Sequence, residues 1–528
     1  MRTLLKASLA VLVLVAAGLL TACGSGSSSG GSTIPRIDEN YDFQRAGVRP
    51  GVDTRPAGRG LIRGVLTNTS GGVVEGVDVT LYRLSTSRQA SVGYAVARSD
   101  SRGRYVFGSV PPGGYRVAVQ DQIRDLTVRI NQDTIANFNG LLGGTGGNVT
   151  RAKWTIMILM AADNDLERFA IADVNELERL PRNDDVNIVV LMDRSPGYDT
   201  TNGNWTDARR FVIQPDNDLE IMTSAIGAQS LGEIDSGSPE TVRDFINWCQ
   251  TNYPADRYLY NFWNHGSGWR PVGRGTEINT TRGILFDDTA GTYIKAHEMA
   301  QALDSRERID VVTIDCSLMQ MGETLAEIQG KTDYIVGSEE SPPGEGYSYN
   351  VIYRNLMANP GMAPSTLAKD IVSQYVRDVG SRSSVTQSAF RTDRLPALWT
   401  ALRGYSRALV TADARYHSQI LAARNDTQRY GSYASLYDGN RDLIDFLDNV
   451  DRRTNNSTLR TAGNQVRAAF DAALLAEGHT GANLSRSHGL AVWLPNDSDW
   501  NLLRSSYIRT QFAGLTEWTN WLDTFYRW

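Results

Sequence analysis

Two short stretches carry the residue types and settings that covalent hydrolysis requires. In "NHGSGW" (residues 264–269), His265 follows the apolar run "RYLYNFW" and precedes two glycines. In "TIDCSLMQMGE" (residues 313–323), Cys316 and Ser317 stand side by side after the apolar run "IDVVTI". A thiol or hydroxyl within reach of an imidazole base is the minimal nucleophile pair for acyl transfer. Gly266 lets the backbone come close to a ligand, so its N–H is a candidate oxyanion donor. A lone histidine is more often structural. Its place beside a glycine at the end of an apolar strand raises the chemical reading above that one.

Both stretches need a scaffold that brings strand ends together. From residue 152 onward, continuous apolar runs ("WTIMILMAA", "VNIVVLMD") alternate with amphipathic segments ("LERFAIADVNELERL", "PETVRDFINWCQTNY"). Runs apolar on both faces, interleaved with helices, predict an α/β fold with a mainly parallel sheet flanked by helices. Active sites in such sheets lie beyond the carboxyl ends of the strands, where both stretches fall. Beyond residue 355 the chain reads as helix-rich, with helical periodicity in "LPALWTALRGYSRALVTA" and "STLRTAGNQVRAAFDAALLAE" and one late strand, "HGLAVWLP".

A chain of 528 residues exceeds one core, so at least two domains are expected. Hydrophobic content of 41%, charged content of 21% and a net charge of -6 describe a globular protein with no nucleic-acid partner. At the N-terminus, Arg2 and Lys6 precede "LAVLVLVAAGLL", an export signal too short to span a membrane comfortably. Leu20-Thr21-Ala22-Cys23 with Gly24 resembles the bacterial lipobox. That resemblance implies cleavage before Cys23, a lipid on Cys23 and anchoring to a membrane of the bacterial cell envelope. "GSGSSSGGST" then reads as a tether. Only Cys249 and Cys316 remain in the body, too few for a disulfide framework. Cys249, inside the helical pattern "FINWCQ", reads as a core thiol.

Between residues 58 and 139, short β-rich runs separated by Gly, Pro, Asn and Asp predict an all-β sandwich. Asp100, Gly103, Tyr105, Phe107, Pro111, Pro112, Gly113 and Tyr115 resemble the pattern of the carboxypeptidase regulatory-like domain, here a spacer or docking module without catalytic residues. The predicted divisions are a signal peptide at 1–22, a tether at 23–57, the sandwich at 58–139, a glycine-rich linker at 140–151, an α/β core at 152–354 and the helix-rich part at 355–528.

Several motifs in order, "WTIMILMAADNDLE", "NHGSGW", "ILFDDTAGTYIKAHEMAQAL", "DCSLMQMGE", "GSEESPPGEGYSYN" and "HGLAVWLP", resemble the clostripain family of cysteine peptidases. The resemblance implies a caspase-like fold, His265 as base, Gly266 N–H as oxyanion donor and peptide or protein substrates cut after Arg or Lys. It also implies that Asp315 faces the basic side chain, although an Asp there reads equally as a loop cap. The family's nucleophile element, Asp-Ala-Cys-Leu-Met-x-x-x-Glu, lies without a gap on Asp315, Leu318, Met319 and Glu323. The family's alanine then falls on Cys316 and its catalytic cysteine on Ser317.

Three readings follow. Cys316 attacks after a one-residue loop adjustment; Ser317 attacks, which calls for a carboxylate behind the histidine; or the domain is a silent pseudo-peptidase that binds without cutting. The resemblance implies calcium for some members, and "DNDLE" and "FDDTAG" offer oxygens. Neither fits an EF-hand loop, adjacent Asp287 and Asp288 should diverge, and no metal ligand is assigned from the sequence. The resemblance also implies self-cleavage in some members, for which Arg270, Arg274 and Arg282 are candidate points.

Overall fold

The computed structural model describes residues 36–37, 43–68, 73–85, 94–120, 122–141, 151–181, 183, 185–225, 228–270, 283–431 and 439–527. The export segment, Cys23, most of the two glycine-rich stretches, Arg274 and Arg282 lie outside them. Among the described residues no helix is long and apolar enough to cross a membrane.

The N-terminal β region consists of two sheets over one core. One holds Arg36–Ile37, Asp78–Ser85, Tyr94–Arg98, Gly113–Val119 and Gln122–Val128; the other holds Arg49–Pro50, Gly60–Asn68, Arg104–Val110, Asp133–Ile135 and Phe138–Leu141. Leu81, Tyr115 and Val117 from the first meet Ile62, Tyr105 and Phe107 from the second. Tyr105 and Phe107, two residues apart on one strand, are both buried, as a period of two requires. The preceding turn is held by Asp100, whose Oδ1 accepts the N–H groups of Arg102 and Arg104, each at 2.9 Å. The Arg104 guanidinium and these amides hold the Asp100 carboxyl down at about 2. Gly103 sits there at φ +69°, and a Cβ would meet Leu66 O at 2.6 Å.

The larger unit is built on one nine-stranded sheet. Its strands are β1 (Ala152–Ala162), β2 (Val186–Arg194), β3 (Ala208–Val212), β4 (Gln229–Ser230), β5 (Ala255–Trp263), β6 (Ile309–Asp315), β7 (Thr332–Gly337), β8 (Thr386–Arg391) and β9 (Leu474–His479). Their order is β4-β3-β2-β1-β5-β6-β7-β8-β9. The five strands β2-β1-β5-β6-β7 pair parallel, and the outer pairings on both sides are antiparallel. The sheet is thus mixed, parallel where both faces are buried and antiparallel at its flanks. The long apolar runs made the parallel centre legible. The outer strands "ARRFV" and "TQSAFR" lack such runs. β8 and β9 come from beyond residue 355, so the helix-rich part completes the sheet. "HGLAVWLP" contributes Ala491–Trp493, which pairs with Asn440–Asp442 away from it.

Helices cover both faces. α1 (Glu167–Glu178) buries Ala170, Ile171 and Val174 in the core that holds Ile156, Ile158 and Val190. α2 (Pro239–Asn252) buries Phe245, Ile246 and Cys249 in the opposite core. Ser238 caps α2 by accepting the Glu240 N–H, and Pro239 begins it where no backbone donor is needed. Cys249 is a fully buried free thiol.

Candidate active site

The two candidate stretches leave neighbouring strands at the same level. Trp263 at the end of β5 pairs with Asp315 at the end of β6, and Asn264 N donates to Asp315 O at 3.4 Å. Two residues further along each chain come His265 and Ser317. Gly266 is pressed against the second loop: a Cβ there would meet Ser317 O at 2.4 Å and Cys316 Cβ and Met319 Cγ at 2.9 Å. Only glycine permits that approach. Among the described residues no backbone hydrogen bond takes up the Gly266 N–H, while Ser267 N donates to Gly283 O.

The alternation of β6 separates the two nucleophile candidates. Val312, Ile314 and Cys316 enter one core, and Val311 enters the other. Cys316 is 1% exposed in the core that also holds Ile314 and Tyr260, with its thiol aimed at Phe262 O, 3.6 Å away. Burial, reinforced by the Asp315 charge, pushes that thiol well above its ordinary value. The thiolate is the nucleophilic form, so Cys316, a catalytic candidate from its sequence position, is corrected to a core residue in the small-residue slot. Ser317 is half-buried, one step beyond. No hydrogen bond joins Ser317 to His265 among the described residues. Catalytic hydrogen bonds are often long before substrate binds.

Behind His265 stands a carboxylate that sequence reasoning missed. Asp165 Oδ1 lies 2.7 Å from His265 Nε2, with the two side chains 67% and 43% exposed. A carboxylate only accepts, so Nε2 carries the proton and Nδ1 is left as the basic nitrogen. Two buried asparagines hold the loops in place. Asn164 Nδ2 donates to Ala161 O at 2.9 Å and to Phe286 O at 2.7 Å, and its Oδ1 accepts Leu166 N–H. Asn264 Nδ2 donates to the same Ala161 O, and Asn264 Oδ1 accepts Phe286 N–H at 3.0 Å. The end of β1, the end of β5 and the hairpin Ile284–Asp287/Thr292–Ile294 are thereby locked together. The signal lies in "DNDLE" at a strand's carboxyl end, where the acidic residues read from the sequence as cation ligands.

Below Ser317 the site is acidic. Asp315 Oδ2 accepts Tyr347 N–H at 3.1 Å and Tyr349 O–H at 3.0 Å. Both bonds fall on one oxygen, so the loop-capping role and a role toward a basic group are compatible. Burial outweighs these donors and lifts the Asp315 carboxyl to about 7. Asp173, which accepts Trp263 Nε1–H at 2.6 Å, is likewise raised well above the ordinary carboxylate range by burial and by the Asp315 charge. Glu323, the last landmark of the nucleophile element, is structural: its Oε1 accepts Trp493 N–H at 3.0 Å and Tyr507 O–H at 2.8 Å, tying the C-terminal part to α3 (Gly322–Ile328).

Glu323 carries a stability prediction. Burial lifts its carboxyl to about 7, above the unfolded value of about 4.3. The native state therefore binds more protons between these values, and this group's contribution to stability falls as pH rises through that window, flattening above about 7. Urea unfolding of wild type and Glu323→Gln from pH 4.5 to 7.5 should show the variant gaining relative stability with rising pH, on the order of 2–3 kcal/mol across the window. A pH-independent difference contradicts the assignment.

A second acidic group lies nearby. Asp163, Asp193, Glu233 and Asp287 bring one carboxylate oxygen each to within 4.8 Å of one another. "DNDLE" and "FDDTAG" thus meet in space although neither forms a site alone. Asp288 diverges outward and accepts Tyr198 O–H at 2.9 Å.

A histidine and a hydroxyl stand at adjacent carboxyl ends of a parallel sheet, with Gly266 pressed against the Ser317 loop, on an α/β scaffold flanked by helices: these are the group types that acyl transfer needs. The chain belongs to the clostripain family, whose profile matches residues 158–526; residues 61–139 match the carboxypeptidase regulatory-like domain. Clostripain of Hathewaya histolytica is 27% identical over 229 residues, 40% of this chain and 43% of that protein, so the match spans less than half of the relative's length. A secreted C11 cysteine protease from Bacteroides thetaiotaomicron, solved with an irreversible peptide inhibitor, shares the fold at 19% identity and a TM-score of 0.53, covering 70% of this chain and 99% of that one. An inactive zymogen C11 protease from Parabacteroides distasonis shares it at 20% identity and a TM-score of 0.52, with the same coverage.

Proposed function

We propose that this clostripain-family chain is an endopeptidase of serine type, cutting after Arg or Lys, with Ser317 as nucleophile, His265 as base and Asp165 as the group that orients it. The observation that carries the reading is the Asp165 carboxylate on His265 Nε2. A hydroxyl, unlike a thiol, needs an oriented base at the moment of attack, and a carboxylate behind the imidazole supplies that orientation. In the first step Ser317 Oγ bonds to the scissile carbonyl carbon while its proton passes to His265. The carbonyl oxygen becomes an oxyanion and accepts the Gly266 N–H. Collapse breaks the C–N bond, and His265 returns the proton to the departing amine. Water then attacks the acyl-serine by the same route and frees Ser317. Asp165 stays ionised throughout and stabilises the imidazolium. Asp315 offers a carboxyl group beside Ser317 for the substrate's basic side chain, whose positive charge would favour its ionised form.

Fluorogenic Arg and Lys peptides test this. Turnover should persist in Cys316→Ala, vanish in Ser317→Ala, and lose its preference for basic side chains in Asp315→Asn. The silent reading keeps one observation in its favour, the unmade hydrogen bond between Ser317 and His265. It is supported if wild type shows no turnover and Ser317→Cys gains it.

The lipobox-like Cys23 makes the same protein a lipoprotein at the bacterial cell envelope. Cys23→Ser is expected to shift the protein from the detergent phase to the aqueous phase in Triton X-114 partitioning. A variant that stays in the detergent phase contradicts the anchor.

A further inference from the structure

The two units of the chain carry opposite charge. Residues 36–141 hold fourteen arginines, no lysine and ten acidic residues, a net charge of +4, while residues 142–528 carry -12. A basic region on an otherwise acidic chain calls for an anionic partner of its own.

Part of this charge is concentrated along one edge of the N-terminal β region. Gln122–Val128 is the last strand of its sheet, paired with Gly113–Val119. Residues 129–132 then turn the chain across to Asp133–Ile135, which pairs with Gly60–Asn68 in the other sheet. Asn131 N donates to Arg59 O at 2.8 Å and Asn131 Oδ1 accepts Gly58 N–H at 3.1 Å, which fixes the turn against residues 58–59. Acidic residues on this edge are neutralised from within: Asp125 by Arg116 at 2.8 Å, and Asp133 by Arg55 and Arg63 at 2.7 and 2.8 Å. Arg59, Arg124 and Arg129 form no ion pair among the described residues, and Arg124 lies over the Phe138 ring, 5.2 Å from its centre.

Apolar side chains stand among these arginines. Ile123, Ile130 and Ile135 are 60%, 57% and 59% exposed. A single exposed isoleucine needs no explanation. Three on one short edge, beside an edge strand that is itself a template for unwanted pairing, mark a surface that something covers. Isoleucines interleaved with arginines suit a membrane interface, where apolar side chains enter among the acyl chains and long cationic side chains reach back to the phosphates.

The place of this edge in the chain selects the partner. Thirteen residues, mostly Gly and Ser, lead from Cys23 to Arg36. As a flexible tether they span about 20 Å, and about 45 Å at full reach, so a lipid on Cys23 keeps the β region beside a membrane. An anionic surface attracts the basic region and repels the acidic residues 142–528. We propose that the edge formed by Gln122–Val128, the turn 129–132 and Asp133–Ile135 docks on a membrane of anionic phospholipid. Ile123, Ile130 and Ile135 enter the interface, and Arg59, Arg124 and Arg129 meet headgroup phosphates. The choice of a membrane rests on the lipoprotein reading of Cys23; the contact itself needs neither that lipid nor peptidase activity.

Co-sedimentation of residues 24–528, which keep every described residue and lack the lipid, tests the contact on vesicles of phosphatidylcholine alone and of phosphatidylcholine with phosphatidylglycerol. Although this chain carries a net charge of -8, it should bind the anionic vesicles about tenfold or more tightly than the neutral ones, and about tenfold less tightly at 0.5 M salt. Two triple variants locate the surface: Ile123→Ser with Ile130→Ser and Ile135→Ser, and Arg59→Gln with Arg124→Gln and Arg129→Gln. All six positions are exposed or half-buried, so both variants keep the fold, which thermal unfolding verifies. Each should weaken the binding about tenfold or more. Equal binding to both vesicles, binding to neither, or binding unchanged in both variants overturns the docking. Binding to polyglutamate with neither vesicle bound overturns it in favour of an acidic protein. Vesicle docking by this chain, together with a Cys23→Ser protein that stays in the detergent phase, counts against the anchor alone.

Discussion

Ser317→Ala is expected to lower kcat/KM on Arg and Lys peptides by about 10⁴-fold or more, and His265→Ala by a similar factor, because a nucleophile and its base act as one unit. The double variant should be little worse than either single change, which separates a shared catalytic step from two independent packing defects. Cys316→Ala is the control. Cys316 is buried in the larger core, so losing its sulfur should cost about 1 kcal/mol of stability and leave turnover within about threefold. Steady-state kinetics with urea unfolding on all four proteins checks these outcomes together. If Cys316→Ala is the variant that loses turnover, the loop rearranges on substrate binding and the assignment of Ser317 is wrong.

Asp165→Ala carries the second large effect, a fall in kcat of about 10²- to 10⁴-fold with KM nearly unchanged. The lower end is expected, since Asp165 is two-thirds exposed and water competes for its charge. Its partner His265 then loses both tautomer and aim. The same change made in Ser317→Cys should cost less, because a thiolate depends less on base orientation. That difference between backgrounds is a readout a purely structural Asp165 would not produce. Equal losses in both backgrounds would make Asp165 a loop anchor and nothing more.

The fold was legible where burial dictates pattern. The runs 154–162, 186–193 and 309–314 are buried on both faces and read directly as central parallel strands. β8, "TQSAFR", is buried too, but its Thr, Gln and Ser are satisfied by hydrogen bonds to neighbouring segments, as in Gln320 Nε2 to Ser388 Oγ, so hydropathy does not reveal it. At the site, the level of His265 with Ser317 followed from strand ends, and the inward turn of Cys316 followed from alternation along β6. Asp165 and the four-carboxylate cluster did not, because they depend on loops from β1, β2 and the hairpin converging. No local spacing records that convergence.

The most direct test of the central claim is to treat the protein with a peptidyl diphenyl phosphonate bearing Arg, a reagent that phosphonylates an activated serine and spares thiols, and to map the adduct by mass spectrometry. One equivalent on Ser317, absent from His265→Ala and strongly reduced in Asp165→Ala, is the result expected of a Ser317–His265–Asp165 site. An unmodified Ser317 in protein that turns over substrate, or labelling of Cys316 by the matching acyloxymethyl ketone, would contradict it.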